Sequence, residues 1–480
     1  MDLRAFISLL EREGELVRVQ SEVDPHLEMA EIADRASKAR GPALLFERPV
    51  PAEGTVDPAL PVLMNQFGSA RRMELAFGAP LDELAARIAG LVELQVPTGL
   101  IGKVKALGQL RELASFTPSL VKRAGWRDVS VDPPDLGRLP VLTTWPGDGG
   151  PFITLPIVVT KDSQGRRNAG MYRLQVYGPQ STGMHWHLHH DGAANFREAG
   201  DRLEVAVALG TDPVVTYAAT APLPPGIDEF MFAGFLRGAP VELAKCDTVD
   251  LEVPADAEIV LEGYVEKGEL RREGPFGDHT GYYSLADDYP VLHVTAMSHR
   301  RDAIYPATIV GRPPMEDAYM GKATERLFLP LLRLVQPEIV DMDLPIEGVF
   351  HDCAIVSIRK EYPGQARKVM NAVWGMGQMM FTKFVVIVDE HVDVHDYSEV
   401  TWRVFNNVDP ARDCVVVAGP LDVLDHSSPV ARYGAKMGID ATRTWREEGH
   451  CREWPDEIAM DPVVKERVTR RWAEFGLPFT

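Results

Sequence analysis

Arg271-Arg272-Glu273-Gly274-Pro275-Phe276-Gly277-Asp278-His279-Thr280-Gly281-Tyr282-Tyr283 carries the strongest chemical signal in the chain. Gly274, Pro275 and Gly277 fix a tight loop, since glycine accepts turn geometry that other residues resist and proline presets its backbone. Glu273 and Asp278 stand at the two ends of that loop. Two carboxylates near an arginine have their pKa values driven apart, one staying ionised and one ready to donate a proton. Taken alone, the run also reads as an ordinary Gly-Pro turn with solvated acids.

Upstream, His185-Trp186-His187-Leu188-His189-His190-Asp191 packs four of the 13 histidines into six positions. On an extended strand His185, His187 and His189 share one face. Imidazole is a common metal ligand and a neighbouring acid orients it, so the cluster suits a metal or an anion. Histidines filling half-polar strand positions are the plainer reading. Further upstream lies Asn168-Ala169-Gly170-Met171-Tyr172-Arg173. If Met171 begins a strand, the backbone at Gly170 lets a ligand approach, and Asn168 with the planar fork of Arg173 suits a phosphate or carboxylate. A metal-dependent hydrolase would use the same histidines as ligands and Glu273 or Asp278 as base. No HExxH, GxSxG, P-loop or Rossmann glycine fingerprint accompanies them.

Periodicity around these clusters predicts a multidomain α/β (α+β) chain. Leu3, Phe6, Ile7 and Leu10 mark a helix, Glu15–Val19 a strand, and Leu81, Leu84, Ile88 and Leu91 a second helix, giving an α/β unit over 1–115. The next unit, 116–318, is rich in Pro and Gly and carries the short apolar runs Leu155–Thr160, Met171–Tyr177, Leu203–Leu209 and Glu258–Tyr264, a pattern for a barrel or closed sandwich. Over 319–480, Leu327, Leu331 and Leu334 share a helix face, and Cys353–Ile358 and Phe384–Val388 read as buried parallel strands. Asp461 caps a last helix with Pro462 at its first position, and its Val464, Val468, Trp472 and Phe475 face suits docking on the same chain or a neighbouring subunit.

With 480 residues, two to four domains are expected. A formal net charge of −20 disfavours nucleic acid and anionic membranes as partners. Cys246, Cys353, Cys414 and Cys451 form no CxxC pair, which fits a reducing cytosol. The start at Met1-Asp2-Leu3-Arg4 opens into an amphipathic pattern rather than a leader, so a cytoplasmic location is expected.

The three clusters, in this order and spacing, resemble the UbiD decarboxylase family. The resemblance runs from about Leu139 to Trp445. It includes Thr143-Thr144-Trp145-Pro146, the Leu251-Glu252-Val253-Pro254 to Glu262-Gly263-Tyr264 stretch, Gly311-Arg312-Pro313-Pro314, Tyr362–Lys368, Thr382-Lys383-Phe384, Asp409–Asp413 and Lys436–Thr442. It implies an N-terminal α/β domain, a central split β-barrel like that of flavin reductases, and a C-terminal α/β domain with an oligomerising helix. It also implies prenylated FMN, Mn2+ and K+ as cofactors. By the same resemblance Asn168, His189 and Glu229 match the metal ligands, Met171, Tyr172 and Arg173 the flavin-contacting strand, and Arg173, Glu273 and Asp278 the catalytic set. His185, Trp186, His187, His190 and Asp191 fall in the cofactor-binding segment. There the ubiquinone-branch members carry RWL and HRGG strings, so histidine replaces two arginines and Asp191 a glycine.

Non-oxidative, reversible decarboxylation of an aromatic acid is the implied reaction. The modified flavin takes up the electrons left by carbon dioxide, and the protein orients the carboxylate, excludes water and returns one proton. Arg173 would keep Glu273 charged and leave the shared proton on Asp278. Asp278 resembles the acid of hydroxyarene and quinone-pathway members, where cinnamate-type relatives carry Glu. The implied substrate is a hydroxyarene or naphthoate of ubiquinone or menaquinone synthesis, or a smaller phenolic or heteroaromatic acid. Implied partners are a flavin prenyltransferase as cofactor supplier, further copies of the chain in a dimer or hexamer, and a membrane surface if the substrate is prenylated. A non-catalytic flavin-binding barrel would not need Arg173, Glu273 and Asp278.

Overall fold

A computed structural model describes residues 1–51, 60–92, 111, 114–187, 190–224 and 226–478. At its centre is a nine-stranded antiparallel sheet curled into an open half-barrel. Its order is Phe152–Ile153, Leu174–Gly178, Ser181–Gly183, Asp287–His299, Ile259–Glu273, Arg202–Leu209, Ile157–Lys161 and Arg167–Met171, with Val129–Val131 paired to Asp287–His299. Alternate residues of these strands, such as Val205, Val207 and Leu209 beside Ile259, Leu261 and Val265, fill its interior.

The two ends of that sheet are close in sequence. Phe152–Ile153 and Ile157–Lys161 lie at opposite ends, as do Arg167–Met171 and Leu174–Gly178, so the chain crosses the open seam twice. The second crossing is only Tyr172 and Arg173. The run Met171–Tyr177 is therefore not one strand: Met171 ends one and Leu174 begins the next, because consecutive residues must pass from one sheet edge to the other. Arg173 sits in the short link, which frees it from the ladder and aims it along the seam.

N-terminal to the barrel, Leu16–Val23, Ala43–Pro49 and Val62–Met64 form a sheet whose fourth strand is Tyr305–Pro306. The expected helices are Leu3–Arg12 and Leu81–Val92, and Asp2 caps the first through the Ala5 N–H. A smaller sheet joins Glu252–Pro254, Glu242–Lys245 and Ser119–Leu120.

C-terminal to the barrel, Cys353–Ile358 and Phe384–Asp389 are parallel, as their continuous apolar composition predicts, and Tyr433–Asp440, whose burial alternates, joins them in parallel. Both flanking strands, Ile339–Asp343 and Cys414–Pro420, run antiparallel, so the sheet is mixed. Apolar side chains cover both faces: Val356, Ile358 and Val385 on one, Ile355, Val386 and Val388 on the other. The last helix, Pro462–Arg470, is capped by Asp461 as expected, and none of its residues is buried.

One helix, Glu316–Val335, joins the two halves. Its Leu327 is buried, whereas Leu334, expected on the same apolar face, is exposed beyond the helix's contacts. Its polar face carries an ion-pair hub. Buried Glu325 accepts from Lys322 Nζ at 3.0 Å, from Arg326 Nε at 2.9 Å and from the Leu344 N–H. Lys322 also reaches Asp343, which accepts from His395 Nδ1 at 2.9 Å. Removing one member of a buried pair strands its partners, at a cost of about 3 kcal/mol. Glu325→Ala is accordingly expected to lower denaturant-measured stability by about that amount, whereas Glu325→Gln, which keeps an acceptor for Leu344, loses less.

Candidate active site

The loop that follows Glu273 is held by a second loop from across the seam. Asp148 Oδ2 accepts from the Thr144 N–H at 3.0 Å, the Thr144 hydroxyl at 2.6 Å and the Trp145 N–H at 2.9 Å. Its Oδ1 accepts from the Gly277 N–H at 2.8 Å. Trp145 Nε1 donates to the Val310 carbonyl at 2.9 Å. A Cβ on Gly277 would lie 2.1 Å from the Trp145 ring, so only glycine fits there. The Thr144-Trp145 motif thus acts as a brace for the 273–283 loop. Asp148 itself gave no sequence signal, because an acid among Pro and Gly reads as a turn residue.

Into this frame the seam link delivers Arg173. Its Nε donates to Glu273 Oε1 at 3.1 Å, its Nη1 to Asp278 Oδ2 at 2.6 Å and its Nη2 to Ser284 Oγ at 3.0 Å. The guanidinium lies over the Phe276 ring, 4.4 Å from the centroid. Glu273 is 1% exposed and Asp278 6%. The three residues expected to act together are therefore one buried, hydrogen-bonded set. Glu273 Oε2 has no partner among the described residues. An unpartnered buried carboxylate oxygen is costly and leaves room for a ligand's donor.

Asp278 departs from the expected protonation. Burial alone would raise its carboxyl, but the His279 hydrogen bond and the charges of His279 and Arg173 outweigh it and hold the carboxyl well below its usual range. His279 Nδ1 lies 2.9 Å from Asp278 Oδ1. Burial pulls His279 down, yet its bond to Asp278 and the charges of Asp278, Asp317 and Asp422 push it up to about 9. Asp278 and His279 therefore form an ion pair near neutral pH.

Over its described residues, His185–His187, the histidine segment forms no strand. It leads instead into the helix Asp191–Glu198. His185 and His187 do share a face, with their Nε2 atoms 2.8 Å apart, and His185 Nδ1 is 2.7 Å from Glu273 Oε1. The His187 N–H donates to His190 Nδ1 at 3.0 Å. Burial and the neighbouring imidazoles drive His187 down to about 2, and burial with Arg173 lowers His185, so both are neutral at pH 7. Neutral imidazoles meet a phosphate as hydrogen-bond donors, without the charge that arginines would bring. Trp186 turns the other way, into the barrel core, edge-on to Tyr172 at 6.4 Å. Met171 lies half-buried at the strand end, its N–H donating to the Ala219 carbonyl at 3.0 Å.

Glu229 reaches the edge strand at Ala169, next to Asn168. Asn168 is buried, and Glu229, first residue of the helix Glu229–Arg237, accepts from the Ala169 N–H at 3.0 Å. Arg167 Nη2 ties that helix start to the strand through Asp228, at 2.6 Å. Burial, then the charges of Asp228 and Asp191, push Glu229 up to about 7. A half-buried carboxylate crowded by two others is short of positive charge, and its oxygen-rich surroundings fit a hard divalent cation. Asn168 Nδ2 has no partner among the described residues either. His189, the third expected ligand, lies outside the described residues. Elsewhere Glu325, Asp343 and His395 bring ligand atoms within 4.8 Å of one another, but Lys322 and Arg326 already neutralise that group.

Fold and site together define a split-barrel carboxy-lyase. Three domain profiles match in order: 3-octaprenyl-4-hydroxybenzoate carboxy-lyase N-terminal domain at 7–92, its Rift-related domain at 120–313 and its C-terminal domain at 318–441. The chain belongs to the UbiD family. An uncharacterised protein of Archaeoglobus fulgidus is 52% identical over 480 residues, covering 98% of both chains. Among solved structures, the vanillic acid decarboxylase of Sedimentibacter hydroxybenzoicus in its closed form aligns with a TM-score of 0.84 at 28% identity, covering 98% of each chain. The UbiD-class enzyme HmfF of Pelotomaculum thermopropionicum, in complex with FMN, aligns with a TM-score of 0.80 at 32% identity, covering 97% of this chain and 98% of that one.

Asp148 supplies four hydrogen bonds to the frame and touches none of the three central side chains. Asp148→Ala is expected to lower turnover about tenfold or more through misplacement of the loop. Global stability should fall by only about 1–3 kcal/mol. Paired turnover and denaturation measurements check this, and unchanged turnover would remove the brace from the account.

Proposed function

We propose that this protein releases carbon dioxide from a hydroxy-substituted aromatic acid with prenylated FMN as cofactor. The observation that carries the reading is Arg173, pinned by two buried carboxylates at the barrel seam. HmfF has also been solved in complex with prFMN, in an evolved dimeric form. When bound, prenylated FMN supplies the sink for the electron pair left as the C–C bond breaks.

Arg173 orients the substrate carboxylate while remaining tied to Glu273 and Asp278. The Phe276 ring and the closed loop keep water from it. Glu273 holds Arg173 through Oε1 and leaves Oε2 for a donor of the ligand. Asp278 passes one proton to the carbon that has lost carbon dioxide. His185, His187, His190 and Asp191 line the cofactor segment, with Tyr172 and Trp186 as its apolar backing. Asn168, His189 and Glu229 would hold Mn2+, which together with K+ would supply positive charge for the flavin phosphate.

Small phenolic acids are the substrates to test first, given the likeness to vanillic acid decarboxylase. A quinone-pathway acid is the second reading, favoured by the family's octaprenyl-hydroxybenzoate description. A flavin prenyltransferase supplies the cofactor under either reading. The exposed Val463, Phe475 and Leu477 of the C-terminal tail suit a self-associating surface. No helix among the described residues is long and apolar enough to cross a membrane.

Protein made with a flavin prenyltransferase is expected to release carbon dioxide from at least one acid in a panel of hydroxybenzoates, naphthoates and heteroaromatic acids. The same chain loaded with FMN alone should be inactive. In the active preparation Glu229→Gln should lose bound manganese and flavin together. Full activity with FMN alone would overturn the cofactor assignment, and flavin retained without metal would separate the two sites.

A further inference from the structure

Asp278 must hand over a proton, yet its surroundings favour the carboxylate. The missing proton has an evident home one residue away. His279 Nδ1 is 2.9 Å from Asp278 Oδ1, and the His279 N–H also donates to that oxygen at 2.9 Å. On its other side, His279 Nε2 lies 2.8 Å from His351 Nε2. Two imidazole nitrogens at that distance require one to carry hydrogen and the other a lone pair.

His351 lies in the turn between Ile346–Gly348 and the strand Cys353–Ile358. That turn is held in an uncommon shape. Val349 and Phe350 have φ of 44° and 52°, in the left-handed region that a β-branched residue seldom adopts. The shape stacks the Phe350 ring on His279 at 5.1 Å and presents His351 Nε2 to it. Such backbone strain is retained where a geometry is needed. The groups facing His279 are Asp278 on its own loop, His351 and Phe350 on this turn, Asp317 at the linking-helix start and Asp422 beyond Cys414–Pro420. Three acids and a second imidazole surround one imidazole.

We propose that His279 stores the proton that Asp278 delivers, and that His351 keeps the store charged by accepting the His279 Nε2–H. This rests on the decarboxylase reading and on Asp278 as its acid. In the loaded state His279 is an imidazolium, with Nδ1–H toward Asp278 and Nε2–H toward His351. As carbon dioxide leaves, the Nδ1 proton passes to the Asp278 carboxylate, which gives it to the product carbon. His279 is left neutral, still donating Nε2–H to His351, and Asp278 is again a carboxylate. Solvent restores the Nδ1 proton before the next turnover. Both imidazoles act through Asp278 as positioning residues, and the store is complete only while the C-terminal half packs on the loop.

The test reads His279 directly, without the cofactor. Ring-15N-labelled histidine in the full chain gives signals that distinguish imidazolium from neutral imidazole, and His279→Gln identifies the relevant pair by its loss. His279 is expected to be doubly protonated at pH 7 and to titrate near 9. His351→Asn should lower that midpoint by about one unit, and Asp278→Asn should lower it further. In the loaded enzyme, His279→Gln should reduce kcat about 10²-fold with KM little changed, and wild-type kcat should fall as pH rises through the His279 midpoint. A neutral His279 at pH 7, or wild-type kcat and pH profile in both His279→Gln and His351→Asn, overturns the store. If Asp278→Asn itself keeps turnover, the general-acid reading fails instead, which separates the two failures.

Discussion

The bond network of Arg173 is the constraint on which the rest depends. One guanidinium ties Glu273, at the end of the longest barrel strand, to Asp278 in the loop beyond it and to Ser284 just before the strand Asp287–His299. A charge this buried is tolerable only when paired and hydrogen-bonded. The open barrel provides the setting, because at the seam Tyr172 and Arg173 leave the sheet between two edge strands. The same crossing that splits Met171 from Leu174 places Arg173 where a closed barrel would have another strand pair.

From that seam the architecture divides its tasks. The Asp148 brace fixes the loop from one side and Trp145 leaves space for nothing larger than Gly277. The edge strand holds Glu229 on the Ala169 N–H, next to Asn168, where crowded carboxylates leave a shortage of positive charge. The linking helix, clamped by Glu325 and Lys322, sets the C-terminal half so that Phe350 and His351 meet His279.

Much of this was legible in the residues. Helical spacing located Leu3–Arg12, the Asp461-Pro462 cap located the last helix, and unbroken apolar runs located the central C-terminal strands. The Glu-Gly-Pro-Phe-Gly-Asp string gave the loop with its two acids. Other features were hidden for physical reasons. Periodicity does not show where a sheet is cut, so Met171–Tyr177 looked continuous. Antiparallel edges, as in Cys414–Pro420, carry the same apolar residues as parallel ones. The protonation of Asp278 depends on His279 and Arg173, and that of His279 depends in turn on Asp317 and Asp422, which are distant in sequence. His351 could not be singled out, because only tertiary packing brings it to the loop 72 residues earlier.

The most direct measurement is exchange of solvent deuterium into the product carbon, comparing wild type and Asp278→Asn loaded with prenylated FMN and manganese. The seam-centred account predicts that Asp278→Asn binds both cofactors as wild type does and loses exchange by about 10²–10⁴-fold. Near-normal exchange in Asp278→Asn, with Glu273→Gln inactive, would contradict it and assign the proton to the other acid.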